Sequence, residues 1–188
     1  MRNILLMIMF AAAFPFTGFG ANKPEQAQSG NRFFITASFG TQMSGIKDED
    51  FIAKNYAPLI NLAAGKWFTP ALALQLAYRG NYFNTIADDE KHHYNYLSGE
   101  AIFNLNSLLK PGTAPGNWHI SLHTGAGYFY NHHYNQPNIC AHLGLSANIP
   151  LTQKLSTSIL FSSIMGWDIY QGDEDILPGL SLGISYTF

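Results

Sequence analysis

Apolar and polar residues alternate with a period of two along most of this chain, and the last nine residues show the alternation most clearly. On an extended strand, one face of this segment carries only large apolar residues and the other only small ones. Such a strand suits a wall with lipid on one side and a polar lumen on the other. The apolar face consists of Leu180, Leu182, Ile184, Tyr186 and Phe188, and the small face of Ser181, Gly183, Ser185 and Thr187.

Further segments between residues 32 and 165 repeat this alternation, each about the ten residues that a tilted membrane-spanning strand requires. With the last strand they make eight. Because an even number of antiparallel strands can close without an exposed edge, the pattern predicts an all-β fold, an eight-stranded antiparallel up-and-down transmembrane β-barrel over residues 32–188. The predicted lipid-facing rows begin with Phe33, Ile60, Leu72, Leu97, Trp118, Ile139 and Leu155.

A soluble barrel of the lipocalin type also alternates with a period of two, so the charges must decide between the two folds. The predicted strands contain only Arg79 and Glu100 as clear charges, and both lie on the polar side. A water-facing exterior would carry many more charged residues, whereas a Lys or Arg in the middle of a membrane costs roughly 2–4 kcal/mol. We therefore predict a membrane barrel whose polar lumen contains Arg79, Glu100, His119, His123 and His142.

The N-terminal segment has the pattern of a secretory signal peptide over residues 1–20, with a basic start, an apolar run at residues 4–13 and small residues before the predicted cleavage site. Residues 21–31 have the composition of a flexible leader. No later run reaches the roughly 18 apolar residues of a transmembrane helix. The single cysteine, Cys140, cannot form an intramolecular disulfide, and a net charge of −2 provides no basic footprint for nucleic acid.

The two sets of connections between the predicted strands differ in their charged residues. Acidic triplets fall in alternate connections, which lie at one end of an up-and-down barrel, while the connections at the other end carry Lys66, Lys110 and Lys154. Because outer loops are usually longer than inner turns, we predict that the acidic loops face outward. The triplets either keep the loops solvated or hold Ca²⁺ or Mg²⁺ weakly. They comprise Asp48, Glu49 and Asp50, then Asp88, Asp89 and Glu90, then Asp173, Glu174 and Asp175.

Aromatic residues near the predicted strand ends are typical of the girdles with which barrels contact lipid headgroups. An amphipathic ring is stable there because its apolar body faces lipid and its polar tip faces water. We assign Trp67, Trp118, Tyr186 and Phe188 to an inner girdle and Tyr78, Tyr128 and Tyr130 to an outer one.

With these features the chain resembles the small eight-stranded outer-membrane barrels similar to the N-terminal domain of OmpA. The resemblance implies a barrel in the outer membrane of a Gram-negative bacterium. It also implies that Tyr186 and Phe188 form an assembly signal, which the barrel-assembly machinery would recognise as a transient partner. The segments that carry the resemblance are residues 65–70 (GKWFTP), 94–97 (YNYL), 101–105 (AIFNL), 125–127 (GAG) and the terminal Phe188.

The sequence favours a structural or surface-interaction role without an open pore, because side chains fill the interior of an eight-stranded barrel. Two alternatives stay open, a lipid A-modifying enzyme and a subunit of an envelope complex. For the enzyme, His119 and Ser121 share one strand face and Glu100 is a candidate third member. However, Leu122 replaces the Asn that follows the Ser in the deacylase pattern, so we assign no catalytic residue.

We expect no cofactor and no metal. The pairs His92-His93 and His132-His133 flank predicted outer loops, but adjacent residues on an extended chain point to opposite sides, which does not form a ready metal site. Convergence of two loops on one ion stays open as an alternative. The expected partners are outer-membrane lipid, lipopolysaccharide and, transiently, the assembly machinery, and we expect a monomer.

Overall fold

The computed structural model describes residues 32–44, 55–85, 90–109, 118–167, 169 and 174–188. They form eight strands and a short helix, α1 (Leu105–Leu109), between the fourth and fifth strands. No helix within these residues has the length and hydropathy needed to cross a membrane. The strands are β1 (Arg32–Gln42), β2 (Ala57–Trp67), β3 (Leu72–Asn84), β4 (Lys91–Asn104), β5 (His119–Asn131), β6 (Gln136–Pro150), β7 (Leu155–Trp167) and β8 (Glu174–Thr187).

Every strand pairs antiparallel with its neighbours in the sequence, and β1 pairs with β8 to close the barrel. In the closing pair, Ser38 lies opposite Gly183, and the backbone N–H of Phe188 donates to the carbonyl of Phe33 at 2.9 Å. Closure pairs the backbone groups that an open edge would leave exposed to lipid. The predicted eight-stranded up-and-down barrel is therefore confirmed. We call the rim that holds Arg32 and Phe188 the inner rim, and the opposite one the outer rim.

The two faces of the wall follow the predicted alternation. In β8, Leu182 is 64% exposed, whereas Ser181 before it is 1% exposed. Large apolar side chains exposed in continuous rows are typical of a surface that contacts lipid. Corresponding exposed residues in the other strands include Phe39, Leu62, Leu76, Leu97, Tyr128, Ile139, Leu143, Leu145, Ile159 and Phe161.

Two inner turns, residues 68–71 and 151–154, share one hydrogen-bonded design. In each, a threonine hydroxyl, of Thr69 or Thr152, accepts the backbone N–H of the leucine that starts the next strand, at 3.0 Å. The residue before each threonine donates its N–H to the carbonyl of the same leucine, at 2.9 and 2.8 Å. Such bonds define a tight turn, and the turn sets the hairpin register that decides which face each side chain takes.

Several strands extend further than the sequence predicts. At the outer rim β8 starts at Glu174, so Glu174 and Asp175 belong to a strand and not to a loop, and Asp175 is buried. The prediction counted only the residues needed to cross lipid, but the hairpin continues beyond them because its paired backbone is equally satisfied in water. At the inner rim Lys66, predicted in a turn, lies in β2 with its Nζ 4.9 Å from the ring centre of Phe33.

Some predicted features lie outside the described residues. They are the signal peptide and leader up to residue 31, the acidic residues Asp48, Glu49, Asp50, Asp88, Asp89 and Asp173, and Lys110. Of the other predicted loop charges, Glu90 is exposed next to β4, and Lys154 is exposed in the inner turn 151–154.

Candidate functional site in the barrel lumen

The centre of the lumen holds an ion pair between two neighbouring strands. Arg79 of β3 and Glu100 of β4 are 1% and 3% exposed. The guanidinium binds the carboxylate through its two terminal nitrogens: Nη1 donates to Oε1, and Nη2 donates to Oε2 at 3.2 Å. A two-pronged pair of this kind is among the strongest polar contacts available to a buried carboxylate.

Further polar side chains surround the carboxylate of Glu100. Gln75 Nε2 donates to Oε2 at 2.7 Å, and Ser98 Oγ donates to Oε1 at 2.6 Å. The Nδ1 atoms of His142 and His123 lie 3.4 and 4.0 Å from its two oxygens. Strands β3 to β6 therefore all contribute to one network, which we call the charged layer. Because a buried charge is costly unless it is paired, this arrangement explains how the lumen accommodates Glu100.

A smaller hydrogen-bonded group lies on the inner-rim side of the charged layer. The ring nitrogen Nε2 of His123 is 2.9 Å from Ser146 Oγ, and Asn148 Nδ2 donates to the same hydroxyl at 2.9 Å and to Ser121 Oγ at 3.4 Å. His119 lies further toward the inner rim, opposite Asn148. The structure thus brings Arg79, Glu100, His123 and His142 together, and it places His119 apart from them.

Stacked aromatic rings fill the lumen on the outer side of the charged layer. Tyr94 and Phe129 stack at 4.8 Å between ring centres with an angle of 12°, and Tyr96 packs beside Phe129 at 6.2 Å. Tyr96 donates its hydroxyl to the carbonyl of Cys140 at 3.0 Å, and Tyr94 donates to Gln42 Oε1 at 2.7 Å. Phe129 is not among the lumen residues predicted from the sequence, although its parity in the fifth strand already places it inside. The buried cluster, which we call the aromatic layer, comprises Phe83, Tyr94, Tyr96, Phe129, Cys140, Ile164, Ile169 and Leu177.

The inner end of the lumen is filled by an apolar group that includes Trp67. Phe34, Ala73 and Ile102 are buried together, and the Trp67 ring packs against them, 6.2 Å from the ring of Phe34. The assignment of Trp67 to the inner lipid girdle is therefore wrong. Trp67 has the same parity as the lumen-facing Asn61 of its strand, so the alternation itself directs it inward. We call this group the inner apolar layer.

The other predicted girdle residues lie on the exterior. Trp118, Tyr186 and Phe188 are exposed at the inner rim, and the Tyr186 and Phe188 rings meet edge to face at 5.2 Å. Their role as an assembly signal stays a prediction. Toward the outer rim, Tyr78 and Tyr128 are exposed, and Tyr130, which is partly exposed, stacks on Tyr128.

Two of the three residues considered for lipid A chemistry, His119 and Ser121, face the lumen. Ser121 is buried, and both Ser121 and His119 have the parity of the lumen face. A groove lies along the lipid-facing side of the wall. Glu100 is among its lining residues, whereas His119 and Ser121 are not. Its outward-facing lining includes Phe33, Ile35, Leu74, Leu76, Thr124 and Phe188.

No protein-family model matches the sequence, and no curated protein matches it. Among solved structures, the barrel is similar to the N-terminal β-barrel domain of Pseudomonas aeruginosa OprF, with a TM-score of 0.57 and 18% identity over 86% of this chain and 100% of that one. It is also similar to neisserial surface protein A, with a TM-score of 0.56 and 12% identity over 85% and 98% of the two chains.

A further similar structure is Ail, the attachment invasion locus protein of Yersinia pestis, with a TM-score of 0.54 and 11% identity over 85% of this chain and 100% of that one. At these identities the likeness concerns the fold. It confirms the fold that the resemblance to the OmpA N-terminal domain implied: this chain has the fold of the small eight-stranded outer-membrane barrels.

Proposed function

We propose that this chain is an integral β-barrel protein of the Gram-negative outer membrane, with a structural or surface-interaction role and no open pore. The exterior supports the location, because continuous rows of exposed Leu, Ile and Phe surround the wall between aromatic residues near both rims. The solved barrels of similar fold include a surface protein and an attachment invasion locus protein, which gives a surface role a precedent on this fold.

The observation that supports a closed lumen is that buried side chains lie inside the barrel at three successive depths. Phe129 belongs to the aromatic layer, Arg79 and Glu100 to the charged layer, and Phe34 to the inner apolar layer, and each of these side chains is at most 5% exposed. An ion on the barrel axis would have to displace packed rings and a paired guanidinium. This favours a barrel that side chains plug, as expected for eight strands.

Planar-bilayer recording tests the closed lumen. We expect the purified full-length protein to produce no large stable conductance steps, whereas a general porin added to the same bilayer does. Parallel reconstitution into vesicles, followed by circular dichroism of the β-sheet signal, shows that the barrel is inserted in its folded form. Stable open channels from the inserted wild-type barrel would contradict the proposal.

Cysteine labelling on intact cells tests the orientation that a surface role requires. Tyr134→Cys lies in the exposed outer turn and Lys154→Cys in the inner turn, while the native Cys140 is fully buried and contributes little background. We expect a membrane-impermeant maleimide to label position 134 on intact cells and position 154 only after permeabilisation. Labelling of position 154 but not of position 134 on intact cells would show that the barrel has the opposite orientation. Labelling of neither position on intact cells would contradict a surface-exposed outer turn.

A further inference from the structure

Two histidine-containing segments that are distant in sequence meet at the outer rim. Within β4, His92 has the parity of the lumen face and His93 points outward. The backbone N–H of His132 donates to the carbonyl of His93 at 2.9 Å, so the turn that follows β5 continues the ladder alongside the start of β4. As a result, one member of each histidine pair, His92 and His133, comes together while the other member points elsewhere.

The side chains of Glu90, His92 and His133 form one compact group, which we call the outer-rim cluster. Candidate ligand atoms of the three residues all lie within 4.8 Å of one another. His133 Nδ1 is 3.6 Å from Glu90 Oε2, and the two imidazole rings stack at 4.0 Å with an angle of 10°. His92 is fully buried, whereas the side chains of His133 and Glu90 are 37% and 57% exposed. The cluster is therefore anchored on its buried side and open to solvent on the other.

Neighbouring residues hold the cluster in place. Asn131 Oδ1 accepts the backbone N–H of His133 at 2.9 Å, and its Nδ2 donates to the carbonyl of Ile169 at 2.9 Å. The Tyr134 ring packs edge-on against both imidazoles, at 5.0 Å from His92 and 4.9 Å from His133. These contacts fix the position of His92 and of the His133 backbone, and they leave the side chains of His133 and Glu90 to adjust when an ion binds.

We propose that Glu90, His92 and His133 form a binding site for a divalent first-row transition-metal ion of the Zn²⁺ type. Two imidazoles and one carboxylate are a donor set that zinc uses when it keeps a fourth position open for water or a ligand. Ca²⁺ and Mg²⁺ prefer oxygen-only sites, so the two ring nitrogens favour the transition metals. Donors of a tetrahedral zinc site lie roughly 3.3 Å apart, so the cluster must contract by about 1.5 Å. The His133 ring must also turn out of its stack with His92, because the lone pair of a ring nitrogen lies in the plane of the ring. The exposed side chains of Glu90 and His133 are the parts able to move.

The site differs from the weak cation binding considered for the acidic loops, because it depends on imidazole nitrogen. It also explains why each histidine pair looked unsuitable when taken alone: the ligands come from different pairs, and only the register between β4 and β5 makes them neighbours. The pairs themselves supply matched controls. His93 follows the ligand His92 and His132 precedes the ligand His133, and both control side chains point away from the outer-rim cluster. His93 packs against the Tyr82 ring, and His132 against the Tyr130 ring.

Isothermal titration calorimetry of the tag-free, chelator-treated full-length barrel in detergent tests the proposal, with ZnCl₂ as the titrant and CaCl₂ as the comparison. We expect one Zn²⁺ per barrel and no comparable Ca²⁺ binding. His133→Ala and Glu90→Gln should each weaken Zn²⁺ binding by at least the roughly 10–100-fold that loss of even an outer-shell partner costs. His93→Ala and His132→Ala should leave the affinity within about twofold of wild type, because neither side chain belongs to the cluster.

Substitution with Co²⁺ supplies a second readout, because its visible absorption reports nitrogen and oxygen coordination directly and should disappear in His133→Ala. Circular dichroism of each variant shows whether it is folded, and His133 is the preferred position because it lies in a turn. Absence of Zn²⁺ binding to the wild-type barrel would overturn the proposal. It would also be overturned if His93→Ala or His132→Ala weakened binding as much as His133→Ala, since the ion would then be held elsewhere.

Discussion

Glu100 and Leu182 both lie well inside the strands of the barrel, one facing the lumen and the other facing outward, and they are held in different ways. The Glu100 carboxylate is bonded to Arg79, Gln75 and Ser98, so its position depends on three particular partners. Leu182 is 64% exposed, and acyl chains would accept any apolar side chain at its place. A lumen position thus constrains the identity of the residue, whereas a lipid-facing position constrains mainly its polarity.

Two glycines on adjacent strands show the same difference at the level of single atoms. A Cβ atom built on Gly99, which faces outward, meets nothing within 4 Å. A Cβ atom on Gly125, which faces the lumen, would lie 2.2 Å from the Gly99 carbonyl oxygen and 2.8 Å from Glu100 Cγ. The Glu100 side chain therefore packs directly against the backbone of Gly125. The lumen is packed to atomic contact, and the exterior is not.

The largest expected effect comes from removing one partner of the ion pair. Glu100→Ala leaves the Arg79 guanidinium buried without its counter-charge, and we expect the free energy of unfolding to fall by about 3–5 kcal/mol. Urea titration of the folded barrel in lipid vesicles measures the change. Replacement of both partners, Arg79→Met with Glu100→Leu, should recover most of the loss, because a buried pair can be exchanged for apolar residues with little penalty. A loss below about 1 kcal/mol in Glu100→Ala would mean that Arg79 is not dependent on this partner.

A charge on the lipid face should have the next largest effect. Leu182 lies in the middle of the outward row of β8, so Leu182→Arg should cost about 2–4 kcal/mol in vesicles. His93→Arg is the matched control, because His93 points outward on the outer-rim extension of β4, where the same charge costs at most about 1 kcal/mol. Equal losses in the two variants, measured by the same urea titration, would contradict a lipid band that ends below His93.

The glycine pair provides the finest test of the two faces. Gly125→Ala forces backbone atoms of β4 to shift, and we expect a destabilisation of about 1–3 kcal/mol. Gly99→Ala adds the same methyl group into open space, so its effect should stay within about 1 kcal/mol and toward greater stability. The two variants can be compared by urea titration or by the temperature at which the folded band is lost in gel electrophoresis. Similar costs for both would show that the lumen yields as easily as the exterior.

Much of the fold was predictable from the alternation alone. A residue in a strand faces one side or the other according to its parity, so Ser181 and Leu182 could be assigned to opposite faces without knowledge of any partner. The strand ends were less predictable, as Asp175 shows. Its charge suggested a loop, but a paired hairpin can continue beyond the lipid and bury the residue against neighbouring strands.

The sequence predicted which residues of the candidate site face the lumen, but not which of them contact one another. Parity places Arg79, Glu100 and His142 inside, but it does not reveal that His142 approaches the Glu100 carboxylate while His119 lies apart. Those distances depend on the stagger between strands, which the turns set. For Trp67 the sequence already contained the correct answer. Its parity places it inside, but the general expectation that aromatic residues near strand ends form a lipid girdle led to the opposite assignment.

The number of strands, their antiparallel order and the face that most residues occupy could be read from the sequence, because they follow from a local period of two and from the need to leave no edge in lipid. Which side chains meet depends on the folded barrel. The pairing of Arg79 with Glu100, 21 residues apart, and the meeting of Glu90 and His92 with His133 both depend on inter-strand register and closure. Register is a property of the whole barrel, and no single segment of the sequence contains it.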